Sequence, residues 1–220
     1  MTKGKEHLVA FATDRSLCGA VNTRLLTQLK PIFAAAKAAD RNDLEITVLG
    51  EKGRSSIQRE HSRYLANVFT DLAKCKELTF KQSLAFTNAI LQSKSPHGAF
   101  FYNHFISAGA FEPRSVQFTD CDTMVANTPF TNRHNFQRDH ENYKNYHEMK
   151  IAAQVFNYWA ENVASEISTR MTAMSTSSTN AEEIAFLLNR FYNRTRQGKI
   201  TSELIEINSG MVVVTASNDD

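Results

Sequence analysis

Two short loops stand where phosphate-binding loops usually occur, between a predicted strand and a predicted helix. Asp14–Gly19 follows the apolar run Leu8–Ala12, and Gly50–Ser56 follows the strand-like run Glu45–Leu49. Neither loop has the spacing of Gly-x-Gly-x-x-Gly or of a P-loop that ends in Lys-Ser/Thr. We therefore interpret the first loop as a tight turn and the second as a helix cap. No nucleotide cofactor is predicted at either one.

The histidines after residue 130 suggest a metal site at first sight. His140 and His147 are seven residues apart on one face of a predicted helix. Two helical turns separate them by about 10 Å, which is too far for one ion, and no carboxylate stands at the i+4 spacing that would complete a site. We interpret His134, His140 and His147 as surface histidines and predict no metal.

Covalent catalysis also lacks a recognisable motif. The sequence contains no Gly-x-Ser-x-Gly elbow that would make one serine a nucleophile. Cys18, Cys75 and Cys121 are far apart and never form a Cys-x-x-Cys pair. That arrangement favours ordinary thiols in a reducing compartment over a disulfide or a zinc site.

The segment Asn193–Gln197 places two arginines beside an amide on a predicted helix. Arginine is the cation best suited to planar, bidentate pairing with a carboxylate on a partner. A solvated basic turn explains the same residues equally well. The residue types alone leave both interpretations open.

Composition limits the class of protein that must position these groups. The chain has 220 residues, 25 Lys and Arg against 23 Asp and Glu, and 42% hydrophobic residues. These values exclude a disulfide-stapled miniprotein, a disordered chain and a polyanion-binding protein, so no nucleic acid partner is predicted. No apolar run approaches the roughly 20 residues that span a bilayer, so no direct membrane span is predicted.

The first 125 or so residues alternate short apolar runs with amphipathic stretches, which indicates an α/β fold. Pro31 lies inside the first helical pattern and predicts a kink or a break of that helix near Lys30. The predicted strands are Leu8–Ala12, Glu45–Leu49, Arg63–Phe69, Ala99–Phe105 and an edge strand at Val116–Phe118, with a helix over Leu78–Gln92.

The remainder of the chain predicts one very long helix, because no proline follows Pro129. Apolar residues recur every three or four positions at Phe156, Trp159, Val163, Ile167, Met171 and Met174, and then at Ile184, Leu188 and Phe191. The polar run Ser175–Asn180 favours a loop by local propensity, but the unbroken apolar pattern favours a continuous helix. The predicted domains are 1–125, a linker at 126–138, the long helix at 139–215 and a tail at 216–220.

The end of this helix has the period of a coiled coil. Ile200, Leu204, Ile207, Met211 and Val214 are spaced 4, 3, 4 and 3 residues apart. Some 70 helical residues make a rod of roughly 100 Å, against about 30 Å for a small domain. Because an apolar stripe of that length is unstable in water, we expect it to bind partners along most of its length.

Four ordered segments resemble one family, the gamma subunits of F-type ATP synthases. They are Asp14–Gly19, Arg170–Met174, Tyr192–Gln197 and Ile200–Ile207. The resemblance implies a non-catalytic central rotor that binds no cofactor and couples transmembrane proton flow to ATP synthesis in a hexamer of alpha and beta subunits. It also implies a Rossmann-like α/β domain followed by a long C-terminal helix that forms half of an antiparallel coiled coil.

The resemblance carries residue roles to matching positions. Arg194, Thr195, Arg196 and Gln197 are expected to form a polar catch for the beta subunits, with Ile200 to Val214 as the tip in an apolar bearing. The further partners implied are small central-stalk subunits of the epsilon or delta type and the c-ring of the membrane sector. The implied location is the matrix side of the mitochondrial inner membrane. The residues expected to pack along the shaft and bearing are Met171, Met174, Leu188, Phe191, Ile200, Leu204 and Ile207.

The sequence departs from the family pattern at several points. It begins shortly before the first strand, where the family has a long N-terminal helix, so we expect a fragment of a longer chain. Ser16 stands where the family has glycine, Gly198 and Lys199 follow the catch, and Asn208 interrupts the apolar tip. The residues also fit two other functions: an α/β nucleotide-binding enzyme with a helical dimerisation arm, and a coiled-coil adaptor that self-associates through Phe156–Met174.

Overall fold

The computed structural model describes residues 5–70, 78–93, 95–125 and 140–218. The predicted linker 126–138, Cys75 and His134 lie outside these residues. In chain order the elements are β1 (Glu6–Phe11), α1 (Val21–Ala38), β2 (Leu44–Leu49), α2 (Glu51–His61), a 3₁₀ turn (Ser62–Tyr64), β3 (Leu65–Phe69), α3 (Phe80–Gln92), β4 (His97–Ser107), β5 (Ala110–Thr119), α4 (Cys121–Val125) and α5 (His140–Asn218).

The five strands form one sheet in the order β3-β2-β1-β4-β5. The first four strands of that order pair in parallel, and β5 pairs antiparallel with β4 at the edge. The predicted fold, a mixed α/β sheet followed by a long C-terminal helix, is therefore confirmed. The hairpin of β4 and β5 is longer than predicted, because the pairing extends through Phe111 and includes residues on both sides of Pro113.

Side chains of β1 alternate between two cores on opposite faces of the sheet. Leu8 and Ala10 join residues of α1 and α2, whereas Val9 and Phe11 join residues of α3 and α5. All four are fully buried. The run Leu8–Ala12 is apolar throughout because a central parallel strand is covered on both faces.

Helix α1 continues from Val21 to Ala38 with Pro31 inside it, so a break near Lys30, one of the two predicted outcomes, is wrong. A proline within a helix removes one backbone hydrogen bond. Leu25, Leu29 and Phe33 are buried on both sides of the proline and hold the two halves against the sheet. Tertiary packing therefore outweighs the local cost of the proline.

Helix α5 is continuous, and every residue from Ser175 to Asn180 is helical, as the unbroken apolar pattern predicts. The Thr179 hydroxyl donates to the Ser175 carbonyl at 3.3 Å, so this polar group is satisfied within the helix. The chain divides within α5 into two compact units, Met1–Ala173 and Met174–Asp220. The division thus falls some fifty residues beyond the predicted boundary at 125, because the first part of α5 belongs to the core of the sheet.

Candidate partner-binding surface

The first part of α5 packs against the sheet through aromatic side chains. Trp159 meets Phe86 edge-on with ring centroids 6.3 Å apart, and Tyr158 stacks on Tyr102 at 4.4 Å. Ile151 and Val155 are buried in the same core. The buried face thus runs through Ile151, Val155, Tyr158 and Trp159. The predicted apolar stripe, which starts at Phe156, lies on a face of α5 that is rotated from this buried face. Trp159 is the one residue of the stripe that also belongs to the fully buried face.

Polar contacts next to this core fix α5 on strand β4. The Asn103 amide donates to Asn162 Oδ1 at 2.9 Å, and the Ser165 hydroxyl donates to the Asn103 carbonyl at 3.2 Å. His104 Nδ1 and Glu161 Oε2 are 2.5 Å apart. Sequence reasoning missed these residues. Spacing could have identified them on α5. Asn162 and Ser165 continue the spacing of three or four residues set by Val155 and Tyr158, and this spacing places them on the helix face that meets the sheet.

The same part of α5 covers the end of the sheet where nucleotides bind in doubly wound folds. That crevice lies at the carboxyl ends of β1 and β4, where the strand order reverses. A Cβ atom on Gly19, which has φ 56°, would lie 2.9 Å from Thr169 Cγ2, and the Gly109 N–H donates to Ser168 Oγ at 2.9 Å. The crevice is filled by the protein's own helix, which disfavours the nucleotide-binding enzyme.

The two loops that resembled phosphate-binding loops are joined to each other. The Glu51 N–H at the start of α2 donates to Asp14 Oδ1 at 2.8 Å. Gly50, which precedes the helix, has φ 101°, a conformation that glycine adopts without strain. In the first loop the positive φ angles belong to Leu17 and Gly19, so Ser16 does not need the freedom of the family glycine. Gly50 is the N-cap residue of α2, and Asp14 joins the first loop to that helix.

His147 is buried, so the prediction of a surface histidine is wrong at this position. It lies with Thr119 and Asp120 around a small cavity of about 10 Å³. Burial lowers the pKa of His147, the Lys150 charge lowers it further, and Asp120 opposes the shift. Among the described residues no group of His, Cys, Asp and Glu is arranged to hold a metal ion. Cys18 and Cys121 are buried free thiols.

Beyond the sheet, α5 presents a long exposed surface. Every side chain from Met174 to Val212 is exposed, and we call this segment the partner-binding surface. It includes large apolar groups such as Phe191, whose exposed fraction is 69%. Apolar surface on this scale is unfavourable in water and indicates binding to another protein. In the described part of the chain no helix is apolar enough to cross a membrane.

The predicted shaft and bearing residues are all exposed, but they do not share one face. Ile200 follows Phe191 by nine positions, and at about 100° per residue this leaves the two side chains half a turn apart around the helix. The apolar residues therefore change sides of the helix between 191 and 200. The lower group comprises Ile184, Leu188 and Phe191, and the upper group comprises Ile200, Leu204, Ile207 and Met211. Met171 and Met174 are exposed nearer the sheet.

The predicted catch occupies the segment where this change of side takes place. Arg194 and Gln197 lie about 60° apart on the helix, whereas Arg196 lies about 160° from Arg194. The Thr195 hydroxyl donates to the Phe191 carbonyl at 3.0 Å and is satisfied within the helix. In the described part of the chain neither Arg194 nor Arg196 has an ion-pair partner, so both guanidinium groups are available.

Comparisons with known proteins agree on one family. A family model described as ATP synthase matches residues 1–214. The chain is 32% identical to the mitochondrial ATP synthase F(1) complex subunit gamma of Rattus norvegicus, over 94% of this chain and 76% of that protein. It is 31% identical to the ATP synthase gamma chain of Paracoccus denitrificans, over 92% and 71%.

A solved structure has the same fold. It is the cryo-EM structure of the Euglena gracilis mitochondrial ATP synthase, OSCP/F1/c-ring, rotational state 3. The similarity covers 99% of this chain and 76% of that chain, with a TM-score of 0.85 and 16% sequence identity.

Proposed function

Because this chain belongs to the family of ATP synthase gamma subunits, we propose that it is the central-stalk rotor subunit of an F-type ATP synthase. In this role it couples proton flow across a membrane to ATP synthesis in the hexamer of alpha and beta subunits. The catalytic groups belong to the hexamer, and this chain acts by contact. The observation that carries the proposal is the exposed helix from Met174 to Val212, which presents large apolar side chains to solvent.

The change of side along this helix gives a physical reason for directional contact. A shaft with an identical surface on all sides would make the same contacts with each catalytic subunit at every angle of rotation. Turning such a shaft would not shift the equilibrium between the conformations of a catalytic subunit. Here the apolar residues face one way near Leu188 and the opposite way near Leu204. Each angle of the shaft therefore offers a given subunit different contacts and stabilises a different conformation.

The residue roles follow from this proposal. Arg194, Thr195, Arg196 and Gln197 form the catch for the beta subunits, and Ile200, Leu204 and Ile207 pack in the apolar bearing. Leu188 and Phe191, with Met171 and Met174, pack against a second helix of the shaft. The α/β foot at 1–125 binds the small central-stalk subunits and the c-ring, and the linker 126–138 connects it to the shaft at 139–215, which ends in a short tail.

We place the assembly at the mitochondrial inner membrane, on its matrix side. Several of the similar proteins are mitochondrial gamma subunits, which supports this location over a bacterial plasma membrane. The Paracoccus protein shows that the family also occurs in bacteria.

Assembly with alpha and beta subunits tests the proposal. The full chain is mixed with the alpha and beta subunits of its own source and the products are weighed by native mass spectrometry. We expect a complex with one copy of this chain for three alpha and three beta subunits. A chain that self-associates and ignores both subunits would support the coiled-coil adaptor instead, and nucleotide binding by the chain alone would support the enzyme.

A further inference from the structure

The partner-binding surface carries a band of positive charge. Four cationic residues and no acidic residue lie between Glu183 and Glu203. They occupy about 14 Å of helix. In the described residues only the last of them has an ion pair, a contact of 3.8 Å to Glu203. These cations are Arg190, Arg194, Arg196 and Lys199.

Acidic residues flank this band of positive charge at both ends. Glu182 and Glu183 precede it, and Glu203 and Glu206 follow it, and all four side chains are exposed. A continuous polyanion, such as a nucleic acid or an anionic membrane surface, would meet repulsion at both ends of the band. A discrete patch of carboxylates on a folded protein fits the band better.

Phe186 lies on the side of the helix that the lower apolar group leaves uncovered. It is about 160° around the helix from Ile184, and 63% of the residue is exposed. A helix that packs on Ile184 and Leu188 would leave Phe186 facing outwards. The Arg190 guanidinium lies 5.9 Å from the centre of the Phe186 ring, within the range of a cation–π contact.

Phe186 and Arg190 share a face with part of the catch. The spacing of four residues from Phe186 to Arg190, four to Arg194 and three to Gln197 keeps all four side chains within about 80° of one another. This outer face therefore extends two helical turns from the catch towards the N-terminus of α5. It combines two guanidinium groups, an amide and one aromatic ring.

We propose that Phe186 and Arg190 form a second contact point on the alpha and beta subunits, which extends the catch along the outer face of the shaft. The Phe186 ring enters an apolar depression on the inner surface of the hexamer, and Arg190 pairs with a carboxylate at its edge. The ring holds the guanidinium in place before binding, which lowers the entropy lost on pairing. Aromatic residues, phenylalanine among them, and arginine are enriched in protein–protein interfaces. This inference rests on the proposed rotor function.

Substitutions on the outer face test the proposal in the full chain. The affinity for purified hexamers of alpha and beta subunits is measured for the wild type, for Phe186→Ala and for Arg190→Gln. We expect each variant to bind at least tenfold more weakly. Arg59→Gln is the matched control, because it removes one exposed guanidinium group from α2, outside the partner-binding surface. The control is expected to bind within twofold of the wild type at physiological salt.

The outcomes separate this inference from the proposed function. A wild-type chain that binds the hexamer while both outer-face variants bind within twofold of it would overturn the contact point and leave the rotor function intact. A wild-type chain that does not bind at all would overturn both. Thermal unfolding midpoints equal to that of the wild type exclude misfolding as the cause of weak binding. Binding of all three proteins to duplex DNA with the same loss at Arg190 would also overturn the assignment of a protein partner.

Discussion

At the scale of single residues, His7 is an ionisable group enclosed within the sheet. It has no exposed surface, its Nδ1 lies 2.6 Å from Ser93 Oγ, and its Nε2 lies 2.8 Å from Thr47 Oγ1. The Ser93 hydroxyl already donates to the Ile90 carbonyl, so Ser93 Oγ accepts from His7 Nδ1–H. His7 Nε2 then accepts from Thr47. This arrangement requires the neutral imidazole.

His7 makes the fold sensitive to acid. Burial lowers the pKa of His7 from 6.5 to about 4, against a smaller opposing effect of Glu45. The unfolded chain therefore binds more protons between pH 6.5 and 4, and stability falls as the pH falls through that range. The loss from this group is about 3 kcal/mol. Urea unfolding of the wild type and of His7→Gln at pH 7 and pH 4 measures this loss of stability on acidification. The variant should be less stable at pH 7 and should lose less on acidification; equal losses would contradict the assignment.

Asp14 connects two loops through a single hydrogen bond. Its Oδ1 accepts from the first N–H of α2, a group that has no partner within the helix. We expect Asp14→Ala to lower the free energy of unfolding by about 1 to 2 kcal/mol, as loss of a helix cap does. Asp14→Asn keeps the accepting oxygen and should lose less. Urea unfolding compares the two, and equal destabilisation would show that the charge matters and the hydrogen bond does not.

At the scale of elements, α5 has two environments within one helix. Its first part supplies Ile151, Val155 and Trp159 to the core, and its later part, from Met174 to Val212, is exposed. The anchored part fixes the helix on the α/β body. The exposed part is left to bind partners.

Trp159 is the side chain that anchors α5 most deeply, with 1% exposure. Trp159→Ala should destabilise the unit Met1–Ala173 by about 3 to 5 kcal/mol, because it leaves a cavity among Phe86 and its neighbours. Met171→Ala is the control on the same helix, and it should change stability by about 0.5 kcal/mol or less, since Met171 is exposed. Urea unfolding followed by circular dichroism measures both. Similar losses from both variants would contradict the placement of the buried face.

Sequence reasoning predicted the elements whose signals are local. The strands of the sheet, the start of α2 and the continuity of α5 through Ser175–Asn180 follow from apolar spacing and turn residues. It failed where distant packing decides. The burial of His147 and the continuation of α1 through Pro31 depend on contacts made across the fold, which spacing does not encode. The buried face of α5 was misplaced by part of a turn because its polar members, such as Asn162, interrupt the apolar pattern.

At the scale of the whole molecule, the catch should matter for coupling and not for folding. Arg194, Arg196 and Gln197 are exposed and contribute no core contact. We expect their joint replacement by Ala to change stability by about 0.5 kcal/mol or less. In the assembled complex the triple variant should hydrolyse ATP while ATP-driven proton pumping is lost. Pumping in membrane vesicles at the wild-type ratio to ATP hydrolysed would contradict the catch.

Rotation of this chain within the hexamer tests the central claim most directly. The alpha and beta subunits are fixed to a surface, a bead is attached to the α/β body of this chain, and ATP is added. The rotor function predicts stepwise rotation in one direction whose rate follows the rate of ATP hydrolysis. A complex that hydrolyses ATP while the bead stays still would contradict it.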